Sequence, residues 1–218
     1  MTEHLTEDEQ VEQLKKWWKE NGIAVITGIV IGLAGVVGVR YWFNYQEQVA
    51  VEASRLYASY MVAVDKHDYA KAKQDSKRLL DEYKGTSYAA LSAMQQARHD
   101  VSNNKLDAAA MNLQWAVNNP GHESIAHLAR VRLTRVLVAQ KKYDQALNLV
   151  KGMNEPAFAA RYAELRGDIF KGLGESEKAR GEYQSALKSN TLTGKEREFV
   201  EMKLNDLGAA VTDVPKNK

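Results

Sequence analysis

The sequence predicts an all-α protein, in which one N-terminal transmembrane helix precedes a stack of helical repeats. Residues 22–39 contain no charged side chain, and Thr27 is their only polar residue. The remainder is rich in Ala, Leu, Lys, Glu and Gln, residue types that favour helices over strands. An alanine that lies three residues after an aromatic residue or leucine recurs at intervals of 37 residues, a period typical of helical repeat proteins.

The apolar segment has the length and the flanks of a membrane span. Its eighteen residues would form a helix of roughly 27 Å, close to the hydrocarbon thickness of a bilayer. Trp17 and Trp18 precede it, and Tyr41, Trp42 and Phe43 follow it, where aromatic rings prefer the headgroup level. These bulky residues also replace the small ones that a signal peptidase needs. We therefore predict an uncleaved signal anchor rather than a signal peptide.

The basic residues around the span predict its orientation. Lys15, Lys16 and Lys19 lie on the N-terminal side, whereas Arg40 and Arg55 lie on the other. Because lysine and arginine are retained in the cytoplasm, this bias places the N-terminus there and the remaining chain outside. The predicted organisation is an acidic cytoplasmic segment at 1–21, a transmembrane helix at 22–43, a helical domain at 44–208 and a frayed tail at 209–218.

Small residues form one stripe along the predicted transmembrane helix. Ala24, Gly28 and Gly32 follow each other at intervals of four, and the last two belong to a GxxxG stretch. Such a stripe allows a second membrane helix to approach closely. Glycine is also common in membrane helices without partners, so both interpretations remain open at this stage.

Composition argues against several functional classes. The net charge is +2 and no long basic run occurs, so nucleic acid is not an expected partner. The chain has no cysteine, which excludes disulfides, a thiolate nucleophile and a cysteine metal site. His122 and His127 are five residues apart and do not match a helical zinc motif; we expect both on the surface. Without a catalytic motif, we predict no enzyme activity, no metal and no cofactor.

The repeated alanines are Ala72, Ala109 and Ala146, and Ala179 follows after 33 residues. Each alanine lies shortly after the turn of a helix–turn–helix unit, near the start of its second helix. The fourth unit fits the tetratricopeptide pattern best, at Gly167, Phe170, Gly174, Ala179, Tyr183 and Ala186. There we expect Gly167 and Ala179 to let the two helices approach. A closing helix is predicted at 193–207, with Phe199, Val200, Leu204 and Leu207 on one face.

Equivalent positions on the first helix of each unit predict a concave surface, here called the A-helix surface. Its predicted partner-binding residues are Tyr57, Met61, Leu91, Met94, Arg98, Val101, Leu128, Val131, Arg135 and Val138. The fourth unit contributes the charged set Arg161, Glu164, Asp168 and Lys171. An apolar groove with two arginines suits an extended or helical peptide. Alternatively, these side chains only pack against neighbouring helices.

The order of parts resembles one known family. The opening EDEQVEQLKKWWKENG, the glycine-rich apolar span and four degenerate tetratricopeptide units resemble the YfgM family of bacterial inner-membrane proteins. The resemblance implies a single-pass inner-membrane protein with a periplasmic domain. It also implies an ancillary subunit of the SecYEG translocon that acts with the membrane-anchored chaperone PpiD on emerging, unfolded envelope proteins. The alternative is a structural scaffold of another envelope assembly, for cell division or secretion.

Overall fold

The computed structural model describes residues 7–153 and 155–212, and within these ranges all regular secondary structure is α-helical. The helices are α1 (Glu7–Asp65), α2 (Tyr69–Glu82), α3 (Ser87–Ser102), α4 (Leu106–Asn118), α5 (Glu123–Ala139), α6 (Tyr143–Val150), α7 (Ala159–Gly172), α8 (Ser176–Leu187) and α9 (Gly194–Thr212). The predicted all-α class is therefore confirmed. Parts of the predicted acidic segment and frayed tail, at 1–6 and 213–218, lie outside the described residues.

The chain divides into two compact units after Val51. In the first unit, α1 exposes its apolar side chains, and Ile23 leaves 83% of its surface uncovered. The hydroxyl of Thr27 donates a hydrogen bond to the Ile23 carbonyl at 2.7 Å, so this polar group is satisfied within the helix. Among the described helices, α1 alone is long and apolar enough to cross a membrane. It is the candidate signal anchor.

The second unit, residues 52–218, is a stack of helix pairs. The last turns of α1 pack with α2, and the following pairs are α3 with α4, α5 with α6 and α7 with α8. The repeated alanines are almost completely buried in this unit, since Ala72 exposes 6% of its surface and Ala109, Ala146 and Ala179 expose none. Their burial confirms the helical repeat, because a small residue is needed where two helices approach closely.

All four units share one turn between their two helices. His67, Asn104, Lys141 and Gly174 each precede the key alanine of their unit by five residues, and each has a positive φ, between 57° and 79°. The next residue donates its backbone N–H to the carbonyl five positions earlier, for example Lys105 to Asp100 at 2.8 Å. This hydrogen bond closes the first helix in a Schellman-type end. The first unit, whose sequence pattern is weak, has the same turn.

Gly167 lies against the ring of Tyr183. A Cβ atom on Gly167 would lie 2.4 Å from the ring of Tyr183, which is fully buried. The absence of a side chain therefore makes room for an aromatic ring of α8, while the close approach of Gly167 and Ala179 stays a prediction. Gly172 plays the same part for Tyr143, whose ring would lie 2.3 Å from an added Cβ. This second contact joins α6 to α7.

The predicted closing helix is α9, which packs against α8. Val200 and Leu207 are buried as expected, at 1% and 2% exposed, and Leu204 packs against the same cluster. The expectation for Phe199 was wrong, because half of its surface is exposed. The helix continues to Thr212 and so includes the first residues of the predicted tail.

Candidate partner-binding surface

The structure brings only some of the predicted partner-binding residues together. Met94, Arg98, Val101 and Arg135 line one cavity of about 330 Å³ between α3 and α5, here called the arginine cavity. Val131 is buried in the core, and Leu91, Leu128 and Val138 are half-buried. Tyr57 and Met61 are half-buried against the cluster of α1 and α2. The predicted set therefore divides into core residues and an accessible cavity.

The arginine cavity has an apolar lining with cationic groups above it. Met94, Ala97 and Leu113 are buried, at 1%, 1% and 2% exposed. Arg98, Arg132 and Arg135 are the exposed basic residues of the lining. Arg132 is not among the partner-binding residues predicted from the sequence. It precedes Arg135 by three residues on the same helix, and this spacing places two side chains on one face.

Arg132 is affected by the two other guanidinium groups. Desolvation lowers the pKa of Arg132 from its usual value, and the positive charges of Arg98 and Arg135 lower that pKa further. Among the side chains that the structure describes, neither Arg98 nor Arg132 forms an ion pair with a carboxylate. Arg135 has one at 3.7 Å, on the buried Glu164. The cavity thus carries an excess of positive charge.

Tyr57 of α1 lies within the electrostatic range of Arg132. Burial raises the pKa of the Tyr57 hydroxyl, and the positive charge of Arg132 opposes this effect. The ring of Tyr57 lies 5.9 Å from that of Tyr60 and 5.8 Å from that of Tyr88. Tyr57 therefore packs against two aromatic rings, and it lies close enough to Arg132 for the positive charge of Arg132 to affect its pKa. That Tyr57 contacts a partner stays a prediction.

A second cavity of about 600 Å³ lies between α1, α2 and α3. Tyr69 lines it between two imidazoles, with ring centroids 6.0 Å from His67 and 5.3 Å from His99. Arg98 lines both this cavity and the arginine cavity. The first two units therefore offer adjoining recesses, one aromatic and one cationic, that share a guanidinium group.

The charged positions of the fourth unit are covered by α9. Lys203 of α9 donates hydrogen bonds to Glu164 and Asp168 of α7, each at 2.7 Å. Arg161 pairs with Glu196, and Lys171 with Asp206 at 3.6 Å. All members of this charged set therefore face carboxylates or an ammonium group of the protein's own last helix. Among the described side chains, the cationic groups of the arginine cavity without a carboxylate partner, Arg98 and Arg132, lie in the second and third units.

His127 corrects the expectation of a surface histidine. Only 8% of it is exposed, its Nδ1 lies 2.6 Å from the hydroxyl of Tyr162, and its ring stacks on Phe158 at 5.2 Å. His122 is exposed, as expected, and caps α5 by accepting the N–H of Ser124. Within the described part of the chain, no group of three His, Cys, Asp or Glu residues is placed to hold a metal ion.

The small-residue stripe on α1 is open. Ala24, Gly28 and Gly32 are exposed, and a Cβ atom added to either glycine would meet no atom within 4 Å. This surface has the space that close packing with a second helix requires. Such packing stays a prediction.

Comparison with known proteins gives a consistent result over nearly the whole chain. The family model of a tetratricopeptide repeat-like domain matches residues 15–209. A protein of Escherichia coli (strain K12) is 32% identical over 92% of this chain and 96% of its own length. One of Haemophilus influenzae is 29% identical over 95% of this chain and 100% of its own, and one of Aggregatibacter actinomycetemcomitans is 29% identical over 93% and 98%.

All three relatives carry the name "Ancillary SecYEG translocon subunit". The match includes both the N-terminal apolar helix and the helical repeats, so the order of parts that suggested the resemblance is shared. The chain belongs to the family of these ancillary translocon subunits, whose helical part is a tetratricopeptide repeat-like domain.

Proposed function

We propose that the protein is a non-catalytic, membrane-anchored binding module that acts beside the SecYEG translocon. The observation that carries this proposal is the match, over 92% and 95% of the chain, to two relatives named as ancillary translocon subunits, which includes the candidate anchor. Repeat domains of this type bind other proteins on surfaces formed by successive helices. The accessible cavities of the first units are suited to that work.

We further propose that α1 crosses the inner membrane once and that the helical domain lies in the periplasm. The support is the excess of lysine before the span, at Lys15, Lys16 and Lys19. A reporter enzyme that is active only in the periplasm, fused after Lys218, should be active. An active cytoplasmic reporter at the same position, with a silent periplasmic one, would reverse the orientation.

In this location the domain would hold emerging, unfolded envelope proteins or the chaperone that receives them. The family resemblance suggests PpiD as this chaperone. The support from the structure is the A-helix surface of the first three units, which combines apolar side chains with exposed guanidinium groups. Methionine and valine adapt to varied apolar side chains, and guanidinium groups bind carbonyl or carboxylate oxygens.

Affinity purification of the full chain from gently solubilised membranes tests the proposal. We expect SecYEG and PpiD to be recovered with it. Arg98→Ala and Arg135→Ala should weaken the recovery of PpiD or client, while Lys188→Ala, an exposed residue at the end of α8, should not. Recovery of a cell-division or secretion assembly without SecYEG would instead support the scaffold alternative.

A further inference from the structure

We propose that the arginine cavity binds an acidic segment of a partner polypeptide, whose Asp or Glu side chains pair with Arg98, Arg132 and Arg135. This inference rests on the proposed function as a protein-binding module and specifies the chemistry of its ligand. It also adds Arg132 to the binding residues. The occupant is a peptide segment with acidic side chains.

The first argument is the unbalanced charge of the cavity. Three guanidinium groups line one recess of about 330 Å³, and Arg98 and Arg132 have no carboxylate partner among the described side chains. The one carboxylate near Arg135, that of Glu164, lies at 3.7 Å and is already bound by Lys203 at 2.7 Å. The positive charges of these arginines repel each other. Carboxylates supplied by a ligand would relieve this repulsion and would also accept hydrogen bonds from the guanidinium groups.

The second argument is how the same surface is covered elsewhere in this chain. Over α7, the covering segment is α9, and it supplies Glu196 to Arg161 and Asp206 to Lys171. Two cationic groups of α7, those of Arg161 and Lys171, are thus paired with acidic residues of α9. Over α3 and α5 the cationic groups remain, and no covering segment is seen among the described residues. A segment that covers this part needs acidic residues for the same reason.

The third argument is the apolar lining beneath the charges. Met94, Ala97 and Leu113 are buried there, and Val101 leaves 44% of its surface exposed. Next to such a lining, a carboxylate–guanidinium pair is less screened by water than on an open surface. The methylene groups of a glutamate could contact Val101 while its carboxylate reaches the arginines. The planar guanidinium also binds a carboxylate through two parallel hydrogen bonds.

The test measures binding of a fluorescent ten-residue peptide of alternating Glu and Ala to the full chain in neutral detergent micelles. Both peptide ends are blocked, so that only side-chain carboxylates are present. The comparison peptide has Gln in place of every Glu. We expect the Glu peptide to bind at least tenfold more tightly, and its affinity to fall as salt is raised. This comparison uses the unmodified protein and does not depend on the folding of any variant.

Substitutions locate the site. R132Q should weaken binding of the Glu peptide about tenfold or more, and the triple variant R98Q/R132Q/R135Q should reach the level of the Gln peptide. The matched control is R78Q, because Arg78 is an exposed arginine of α2 that pairs with Glu82 outside the cavity. The melting temperature of R132Q should stay the same or rise, since a repelled charge is removed.

Three results would overturn the inference. The first is equal binding of the Glu and Gln peptides. The second is equal binding of the Glu peptide by R132Q, the triple variant and R78Q. The third is that the arginines bind phosphatidylglycerol vesicles or a free peptide C-terminus and do not bind the blocked Glu peptide. The proposed function has a separate readout, the recovery of SecYEG with the unmodified chain. Failure of one therefore does not imply failure of the other.

Discussion

Lys203 of α9 neutralises two carboxylates of α7, the first helix of the fourth unit. Loss of its charge should destabilise the domain. Its ammonium group donates to Glu164 and Asp168, both at 2.7 Å, and lies 4.6 Å from the centre of the Phe199 ring. The side chains of Lys203 and Glu164 are 15% and 7% exposed. Lys203→Met keeps an unbranched side chain that is one atom shorter, but it leaves two carboxylates close together without their shared cation.

The expected size of the effect follows from this burial. Removal of one partner from a buried ion pair typically costs about 3–5 kcal/mol. Arg135 remains 3.7 Å from Glu164 and Asp168 is 22% exposed, so partial compensation is expected. We therefore expect a smaller loss, of about 2–3 kcal/mol, which is at or below the lower limit of that range. For a protein of this size, this corresponds to a fall in the melting temperature of roughly 4–12 °C.

Circular dichroism of the full chain in detergent would measure this change. The matched control is Lys195→Met, an exposed lysine in the first turn of the same helix. The double variant Lys203→Met, Glu164→Gln should lose less stability than Lys203→Met alone, because one of the unpaired charges is also removed. Melting temperatures of the Lys203 and Lys195 variants that agree within 2 °C, a margin of roughly 1 kcal/mol, would refute the reasoning.

Three further variants test the packing, the turns and a buried hydroxyl. Gly167→Ala should lower the free energy of unfolding by about 1–3 kcal/mol through overpacking against Tyr183, while Gly181→Ala, with no atom near its added Cβ, should be neutral or stabilising in the same denaturant titration. Lys141→Gly should stabilise the turn by up to about 1 kcal/mol, since its φ of 59° strains a residue with a side chain; a lower denaturation midpoint would contradict this. Burial raises the pKa of Tyr60 from 10.0 to about 12, so the stabilisation by its neutral hydroxyl is complete below pH 10 and is lost as the pH rises through 12. Tyr60→Phe should make the melting temperature fall less steeply over this interval, and identical pH profiles would count against the assignment.

The repeat was readable from the sequence because its signal is local and periodic. Ala72, Ala109 and Ala146 recur at one spacing, and their burial follows from the close helix packing that the spacing implies. The shared left-handed turn was visible only at Gly174, because the other units place His67, Asn104 and Lys141 there. Asn and His adopt a positive φ only in a minority of cases and Lys less often, so the structure was needed to show that the turn is common to all units.

The candidate site was only partly predictable. Arg98 and Arg135 were found because they occupy equivalent repeat positions, whereas Arg132 has no such equivalent and is linked to them by the shared cavity. His127 was expected on the surface, since a single polar residue gives no sign of what covers it. Its burial depends on Phe158 and Tyr162, which lie more than thirty residues later in the chain.

By itself, the sequence determined the apolar helix, the helical class and the register of the repeats, because each of these depends on residues a few positions apart or on one fixed period. The tertiary structure alone decided which charges are neutralised. Lys203 reaches Glu164 and Asp168 from 39 and 35 residues away, and this brings α9 over α7 while the arginine cavity stays uncovered. The physical reason is that Coulomb interactions act through distance in space and degree of desolvation, and neither quantity is encoded by spacing along the chain.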